Sequence, residues 1–348
     1  ILMLPAMYRL SKQLTKKSSF AFAAALMLAL DCQHFTQTRI ATIDSYPVLF
    51  ILFSWLFMLR FMQRDIVRLP VKKLLPDLAL SGLFMGLGIA SKWIGVYSGA
   101  GLAVAFFWTI FRHMRMAATS AHLLKTDKSL SDEDRKILTL RDQTTMKRVL
   151  VICLWCLLFF VAIPLAIYLL AYIPYFAYAH FDNLKDYLTA VWNAQLSMFS
   201  YHSKPGLGMD HPFYSPWYEW LFNQRPMYYA SPTYVNTPGW SYAIWCFGNP
   251  AIWSAALVGF AYTVFMWAKR HRYTLRKDGE TLHWTAADWD VTMPFLLLSA
   301  LSQFLPWVLV PRGTYIYHYF ATTPFLMLSI TVLFRDITRR FPKTGKWL

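Results

Sequence analysis

Four cationic side chains lie in polar segments that separate apolar stretches of the chain: Arg39, Lys92, Arg225 and Arg312. A guanidinium group binds phosphate oxygens in a bidentate manner, and an ammonium group acts as a compact point charge. Charged side chains next to apolar segments are costly, so they are functional candidates by default. We expect Lys92, Arg225 and Arg312 to form an anion site for a lipid-carried phosphate. The alternative for each is a side chain that extends to lipid headgroups.

Carboxylates follow the same polar segments and supply groups for acid–base chemistry. Asp44, Asp210 and Glu219 are available as a general base or as ligands for a cation. Asp44 lies five residues after Arg39, and we predict that these two residues act at the catalytic centre. Asp44 also opens an apolar helix, so stabilisation of its charge by the helix dipole is an equal alternative. The sequence identifies no cofactor, and a divalent cation held by carboxylates stays open.

Imidazole and aromatic side chains are dense between positions 198 and 230 and return near the C-terminal end. His202, His211 and His318 suit proton transfer or metal binding, although none shows an HxxxH or HExxH spacing. Tyr214 and Trp217 can stack against a sugar. We predict that these five residues shape a sugar or acceptor site. Structural hydrogen bonding is the alternative for the histidines, and an interfacial aromatic belt is the alternative for the rings.

The composition identifies the kind of protein that must position these groups. Of 348 residues, 57% are hydrophobic and 15% are charged, whereas soluble domains carry about 25% charged residues. The chain is therefore predicted to be an all-α polytopic membrane protein, because a spanning helix needs about 20 apolar residues. Eight segments are apolar enough: 18–34, 46–62, 77–91, 94–111, 149–173, 250–268, 291–310 and 316–334.

The distribution of Lys and Arg predicts the orientation of these helices. If the loops alternate between the two sides, 28 of the 34 Lys and Arg residues lie on one side. The excess marks the cytoplasmic side, so the polar segments that carry the candidate site residues face the extracytoplasmic side of the cell membrane. This placement explains the net charge of +16 without a nucleic-acid partner.

The loops differ in character. Segment 112–148 reads as a charged helical excursion with Ser131 as its N-cap, and a solvated connector is the favoured interpretation. Segment 174–240 is the long outer loop, and apolar residues recur at helical spacing over 181–199, which predicts an amphipathic helix in the interface plane. Cys153 and Cys156 form a CxxC inside an apolar run, which indicates a packed membrane helix rather than a metal or redox site.

At this point four stretches together resemble one family. LDCQHFTQTRIATIDSY, GIASKWIGVYSGAGL, SYHSKPGLGMDHPFYSPWYEWLFNQRPMYY and FLPWVLVPRGTYIYHYFATTPF are similar, in this order, to motifs of protein O-mannosyltransferases. The resemblance runs over about 28–325, and its most specific part is the loop from HP to RPM. It implies a type-C glycosyltransferase helix bundle with an active site on the outer face. It also implies a division into a catalytic half, 1–148, and a C-terminal four-helix half, 149–348.

The resemblance further implies an inverting transfer of mannose from a polyprenyl-phosphate (dolichyl-type) carrier to Ser or Thr hydroxyls of exported proteins. The partners would be the lipid-linked mannose donor, the acceptor proteins and the lipid bilayer. Two departures from the family pattern carry expectations of their own. The family's Asp-Glu pair is missing, and the chain opens as the end of an apolar helix followed by a basic loop over 9–17. We therefore expect an N-terminally truncated sequence whose catalytic base lies upstream of Ile1.

The second departure concerns loop 174–240, which is too short for the β-trefoil repeat domain of eukaryotic members, so a prokaryotic type is expected. The sequence leaves two other functions open. A type-C transferase with the same donor could use a lipid or a cell-wall glycan as acceptor. A transporter or lipid flippase is the alternative from another class, but such proteins tend to show repeated halves and charges along a path.

Overall fold

A computed structural model describes residues 1–230, 243–269 and 290–341, together with the backbone of 275–278 and 281–284. Helices make up most of these residues, which confirms the predicted all-α class. The α-helices are α1 Met3–Thr15, α2 Ser18–Ala29, α3 Cys32–Gln37, α4 Ser45–Met62, α5 Leu75–Ser91, α6 Ile94–Thr126, α7 Asp132–Leu157, α8 Ile163–Leu170, α9 Leu184–Ser203, α10 Trp217–Trp220, α11 Pro250–Ala268, α12 Thr292–Phe304 and α13 Thr323–Arg340.

Short elements of other types join these helices. A π-helical turn, Leu158–Ala162, makes α7 and α8 one continuous rod. In the described part of the chain, 3₁₀ segments occur at Val71–Lys73, Leu305–Leu309 and Ile316–Ala321. The same part contains two antiparallel strand pairs, β1 Met227–Ala230 with β2 Ile244–Cys246, and β3 Leu275–Asp278 with β4 Thr281–Trp284.

Five helices in the described part of the chain are long and apolar enough to cross a membrane: Ser45–Met62, Ile94–Thr126, Asp132–Leu170, Pro250–Ala268 and Thr292–Leu309. Two further apolar helices, α2 and α5, are shorter. The polytopic membrane class predicted from composition is therefore confirmed. Helix α6 continues well past the predicted end at 111, and α7 begins at Asp132 with Ser131 as its N-cap, where Oγ accepts from the Asp134 N–H at 3.2 Å.

Three predicted segments differ from the structure. Segment 18–34 is broken, because the buried Asp31 carboxylate accepts the His34 N–H at 3.1 Å and so starts α3 as a separate helix. Segment 316–334 begins as a 3₁₀ turn before α13. The predicted basic loop over 9–17 is wrong: α1 continues to Thr15, because Met3, Met7, Leu10 and Leu14 recur at helical spacing and bury one stripe in the core.

Close helix approach in the bundle depends on the small residues that the sequence places along α5 and α6. A Cβ atom added at Gly82 would lie 2.1 Å from the carbonyl oxygen of Phe159, so α5 touches the π-helical turn directly. A Cβ at Gly101 would lie 2.4 Å from the side chain of Ser302, which brings α6 against α12. Small residues allow helix backbones to approach closely where no hydrophobic force acts between helices. The bundle that carries the site is therefore tightly packed.

Ion pairs join the basic end of the bundle. The Asp77 carboxylate contacts Arg60 Nε at 3.0 Å and Arg64 Nε at 2.6 Å. Arg141 on α7 pairs with Asp65 at 2.7 Å. Removing one partner from a buried pair of this kind leaves an uncompensated charge and is strongly destabilising. These pairs hold the α4–α5 connection against α7. They lie at the C-terminal end of α4 and the N-terminal end of α5, which is the end of the bundle opposite to Lys92.

Candidate functional site

A cavity of about 780 Å³ opens where α5 ends and α6 begins. Among its described lining residues there is no Asp or Glu, and its charged and imidazole groups come from three separate parts of the chain. Aromatic rings form much of the remaining wall. These lining residues are Lys92, His202, Arg312 and His318, with the rings of Trp93, Tyr97, Tyr168, Tyr172, Tyr175, Phe199 and Trp307. A cationic cavity with apolar walls suits a phosphate attached to a bulky organic group.

Lys92 reaches this cavity because the chain turns sharply between two helices. Helix α5 ends at Ser91, Lys92 is extended, and α6 begins only two residues later. A Cβ at Gly95 would lie 2.5 Å from a backbone nitrogen of α5, so this corner requires glycine. The Lys92 Nζ lies 2.6 Å from Asp44 Oδ1 and 5.6 Å from the centre of the Tyr317 ring. One carboxylate and one ring therefore hold the ammonium group at the cavity wall.

The two residues predicted as catalytic have different surroundings. The Asp44 side chain is 11% exposed, stands at the N-cap position of α4 and makes no capping hydrogen bond. Its carboxylate is engaged by Lys92 instead. Arg39 is exposed and folds back on α3, where its guanidinium carbon lies 3.6 Å from the Phe35 ring centre and Nη1 donates to the Phe35 carbonyl. The catalytic roles of Asp44 and Arg39 stay predictions.

Two backbone segments that pair with each other carry Arg312 into the cavity. The Gly206 N–H donates to the Pro311 carbonyl at 3.1 Å, and the Gly313 N–H donates to the Leu207 carbonyl at 2.8 Å. Arg312 lies between these two bonds, and its Nη1 donates to the Gly313 carbonyl at 3.0 Å. The buried Nε of Arg312 has no hydrogen-bond partner among the described groups. A buried donor of this kind is costly unless a ligand accepts its hydrogen bond.

His202 stands at the C-terminal end of α9, and its ring centre lies 6.2 Å from that of Trp93. Burial lowers the pKa of His202 below its usual value, and the nearby cations Arg312 and Lys92 lower it further. The imidazole is therefore neutral at pH 7, and one of its nitrogens can accept a hydrogen bond while the other donates. These three groups, distant in sequence, are close enough in the fold to influence one another electrostatically.

His318 combines a wall position with a structural hydrogen bond. Its side chain is buried, and Nδ1 accepts the Tyr315 N–H at 3.0 Å at the start of the 3₁₀ segment. The rings of Trp307 and Tyr317 each lie 4.3 Å from the imidazole centre. His318 therefore makes the structural hydrogen bond that was the alternative interpretation of the sequence. The sugar or acceptor role of His318 stays a prediction.

The remaining predicted sugar or acceptor residues lie outside the described lining. His211 is exposed, and its ring centre is 5.3 Å from that of Tyr315. Trp217 is half-buried against the core, with Phe304 at 5.7 Å. The Tyr214 carbonyl oxygen accepts a hydrogen bond from a guanidinium nitrogen of the same loop at 3.1 Å. The structure therefore brings only His202 and His318 of this set to the cavity, and the other three form its loop surroundings.

That guanidinium belongs to Arg225, the third cation predicted to bind phosphate. Its Nε lies 3.3 Å from Glu219 Oε2, outside hydrogen-bond geometry, and its side chain is 55% exposed. The backbone at Arg225 is left-handed, with φ +49°. Arg225 thus pairs within its own loop and is not among the cavity-lining residues, while its phosphate role stays a prediction.

Sequence reasoning missed a polar network that ties α9 to the cavity corner. The Trp93 Nε1–H donates to the Tyr168 hydroxyl at 2.9 Å, and that hydroxyl donates to Gln195 Oε1 at 2.5 Å. The Gln195 amide then donates to the Tyr172 hydroxyl at 2.8 Å. Gln195 could have indicated this network from the sequence. Its amide lies on the inner side of a predicted amphipathic helix, where a polar group without a hydrogen-bond partner would be costly.

The described residues contain no group of three or more His, Cys, Asp or Glu side chains that could hold a metal ion. The divalent cation considered from sequence therefore stays an untested expectation. Cys153 and Cys156 are free thiols on α7, half-buried within the helix bundle.

The chain matches family models along nearly its whole length. The model of dolichyl-phosphate-mannose-protein mannosyltransferase matches residues 1–184, and the model of the C-terminal four-helix membrane region of protein O-mannosyltransferase matches residues 187–346. Curated relatives named polyprenol-phosphate-mannose–protein mannosyltransferase occur in Mycolicibacterium smegmatis strain MKD8, 24% identical over 94% of this chain, and in Mycobacterium tuberculosis strain CDC 1551, 22% identical over 97%. The chain covers 63% and 64% of these two relatives.

A solved structure supports the fold. The structure of the Saccharomyces cerevisiae protein O-mannosyltransferase Pmt1-Pmt2 complex bound to the sugar donor aligns with a TM-score of 0.70 at 10% identity, over 97% of this chain and 72% of that chain. The family model that matches residues 1–184 alone covers more than half of the 348 residues. The chain therefore belongs to the dolichyl-phosphate-mannose-protein mannosyltransferase family.

Proposed function

We propose that the protein containing this chain transfers mannose from a polyprenyl-phosphate carrier to Ser or Thr hydroxyls of exported proteins. The observation that carries the proposal is the cationic, aromatic cavity in which Lys92, His202 and Arg312 meet without a carboxylate among the described lining residues. The names of the mycobacterial relatives specify the same donor and a protein acceptor. The family membership and the cavity thus support one reaction.

The chemistry follows from the groups at the wall. The acceptor hydroxyl oxygen attacks the anomeric carbon of mannose, the bond from that carbon to the phosphate oxygen breaks, and the polyprenyl phosphate leaves with the bonding electrons. Lys92 and Arg312 stabilise the negative charge that grows on this phosphate, and such electrostatic stabilisation is usually the largest catalytic term. The buried, unpartnered Nε of Arg312 supplies a donor for a phosphate oxygen.

The proton of the acceptor hydroxyl must pass to a base. Asp44 is already engaged by the Lys92 ammonium group. We therefore assign Asp44 the role of positioning Lys92, and another group takes the proton.

The cavity faces the extracytoplasmic side of the cell membrane in this proposal. Helices α5 and α6 meet at Lys92, whereas their opposite ends join the arginine-rich segments 60–73 and 112–148. Because cytoplasmic loops carry the excess of Lys and Arg, the arginine-rich ends are cytoplasmic and the Lys92 corner is external. A lipid-linked sugar in the outer leaflet would then meet secreted acceptors on the same side.

The test uses the full-length protein in membranes, a polyprenyl-phosphate donor with radiolabelled mannose, and acceptor peptides that contain Ser and Thr. Lys92→Ala and Arg312→Ala should each lower the rate of transfer about 10- to 100-fold, because each loses a charged contact with phosphate. Lys185→Ala is the matched control, since this exposed lysine lies on the outer loop and outside the cavity lining. Wild-type transfer in both cavity variants would refute the assignment, and label appearing only in lipid or glycan would refute the protein acceptor.

A further inference from the structure

Helix α9 has three stripes of side chains, each repeating about every four residues. The inner stripe is buried or half-buried and consists of Tyr187, Val191, Gln195, Met198 and His202. A second stripe is exposed and apolar, and we call it the apolar stripe: Leu184, Leu188, Trp192, Leu196 and Phe199. A third stripe is exposed and polar, and we call it the polar stripe: Lys185, Thr189, Asn193, Ser197 and Ser200.

The apolar stripe exposes large side chains to an unusual degree. Leu184 is 71% exposed, Trp192 is 62% exposed and Phe199 is 63% exposed. Five such side chains along one face form a contiguous apolar surface, and surfaces of this kind mark contact with a protein or a membrane. The neighbouring polar stripe excludes full immersion of the helix, because its amide and hydroxyl groups would lose their hydrogen bonds in hydrocarbon.

The chain that leads into α9 indicates what covers this surface. Helix α8 ends a membrane-spanning rod, and its exposed Leu165 and Leu170 continue into Ile173, Tyr175 and Tyr178, which are exposed as well. Tyr175 and Tyr178 stand at the end of a spanning segment, where aromatic side chains mark the membrane boundary. The apolar stripe thus follows a lipid-facing segment along the chain, and the Tyr187 hydroxyl ties α9 to the end of that segment by donating to the Leu169 carbonyl. This connection favours lipid over a second protein chain as its partner.

We propose that α9 lies along the external boundary of the bilayer, with its apolar stripe among lipid acyl chains and its polar stripe in the headgroup region and water. An amphipathic helix in this position buries its apolar face about 5–10 Å into the boundary between headgroups and acyl chains. The inner stripe is fixed to the bundle by the Gln195 network and by Tyr187, whose hydroxyl donates to the Leu169 carbonyl at 2.5 Å.

This placement makes α9 the membrane-side wall of the cationic cavity. Met198 and His202 of the inner stripe line the cavity together with Ala194, and one residue of each exposed stripe lines it as well, Ser197 of the polar stripe and Phe199 of the apolar stripe. The apolar stripe therefore reaches the mouth of the cavity, and the mouth opens at the level of the lipid headgroups. A molecule with a lipid tail and a phosphate head can enter there without leaving the leaflet.

The experiment measures the depth of single sites on α9 without relying on activity. The full chain, with its four native cysteines Cys32, Cys153, Cys156 and Cys246 replaced by alanine, receives one new cysteine that carries an environment-sensitive fluorophore. Leu188→Cys, Trp192→Cys and Leu196→Cys probe the apolar stripe, and Thr189→Cys and Asn193→Cys are the matched controls one residue along the helix. The protein is reconstituted into phosphatidylcholine vesicles, with nitroxide-labelled phosphatidylcholine or aqueous iodide as quencher.

Nitroxide lipid should quench the apolar-stripe labels about threefold more strongly than the polar-stripe labels, and iodide should show the reverse order, as expected for a helix at the boundary. Equal access of iodide to both stripes would overturn the proposal in favour of a helix in water. Protection of the apolar-stripe labels from both quenchers would overturn it in favour of a second copy of the chain or another protein.

A second measurement guards against failure of the cysteine-free chain to fold. In the chain with its native cysteines, brominated phosphatidylcholine quenches tryptophan fluorescence by contact with lipid-exposed rings. Trp192→Phe should reduce the fluorescence intensity that the brominated lipid removes, whereas Trp220→Phe, at a fully buried ring, should leave that lost intensity unchanged. An equal loss of intensity in wild type and Trp192→Phe would contradict lipid contact at the apolar stripe.

Discussion

The contact between Asp44 and Lys92 makes it possible to test whether the Asp44 carboxylate positions Lys92 or acts as the catalytic base. The Lys92 Nζ lies 2.6 Å from Asp44 Oδ1, and the two side chains are 31% and 11% exposed, so the pair is largely shielded from water. If Asp44 only positions Lys92, Asp44→Asn keeps an oxygen that accepts the hydrogen bond and loses only its charge. If Asp44 is the catalytic base, the same substitution removes the proton acceptor itself.

The magnitudes of these two outcomes differ clearly. Asp44→Asn removes the carboxylate charge but leaves the Lys92 ammonium group an oxygen to bond, which costs about 1 kcal/mol, so positioning predicts that this variant lowers kcat/KM about fivefold. Loss of a general base predicts a decrease of about 10²- to 10⁴-fold. Lys92→Met, which removes a charged phosphate contact, should lower kcat/KM about 10- to 100-fold. We expect the smaller value for Asp44→Asn.

The double variant completes the cycle. Because Asp44 acts through Lys92, Asp44→Asn combined with Lys92→Met should have the same kcat/KM as Lys92→Met alone, within about twofold. The assay is steady-state transfer from polyprenyl-phosphate mannose to an acceptor peptide, with the melting temperature measured for every variant. Asp210→Asn, at an exposed carboxylate that is not among the described cavity-lining residues, is the control. A loss above about 10²-fold for Asp44→Asn, or additive losses in the double variant, would refute the positioning role.

Three further predictions follow from the site. Burial and, after it, the nearby cations lower the pKa of His202, and a bound phosphate offsets the part due to the cations, so donor binding should raise this pKa toward its usual value. The KM for the donor should therefore fall as the pH is lowered from 7.5 to 6, and a profile equally steep in His202→Gln would contradict this. A Cβ at Gly313 would meet a carbonyl carbon and oxygen of the segment paired with it at 2.5 and 2.4 Å, so Gly313→Ala should lower the melting temperature by several degrees and impair donor binding. Gly88→Ala, where a Cβ meets only ordinary contacts, is the control, and equal melting temperatures would refute the steric reasoning. Arg225→Ala and Glu219→Gln should each reduce transfer less than about threefold, because the arginine side chain of this pair is more than half exposed. A loss above tenfold for Arg225→Ala alone would instead support the phosphate role predicted for Arg225.

The amino-acid sequence by itself determined the class of the protein and predicted its orientation. An apolar segment of about 20 residues can pair all its backbone N–H and C=O groups inside a bilayer by forming a helix. The excess of Lys and Arg in alternate loops can be counted from the sequence directly. The amphipathic helix was visible too, because its apolar spacing is local. The prediction of a basic loop over 9–17 was wrong. This segment is helical up to Thr15 because an apolar stripe of α1 packs in the core, and the basic residues of the segment do not reveal that packing.

Only the tertiary structure decided which cations meet. Lys92 pairs with a carboxylate 48 residues away, and Arg312 is placed by backbone bonds to a glycine-containing segment more than 100 residues earlier. Arg225 has the same charge and lies in an equally suggestive motif, yet it turns to Glu219 in its own loop. A sequence lists the charged groups, but the distances between them depend on how separate helices pack. Convergence at a cavity is therefore a property of the fold.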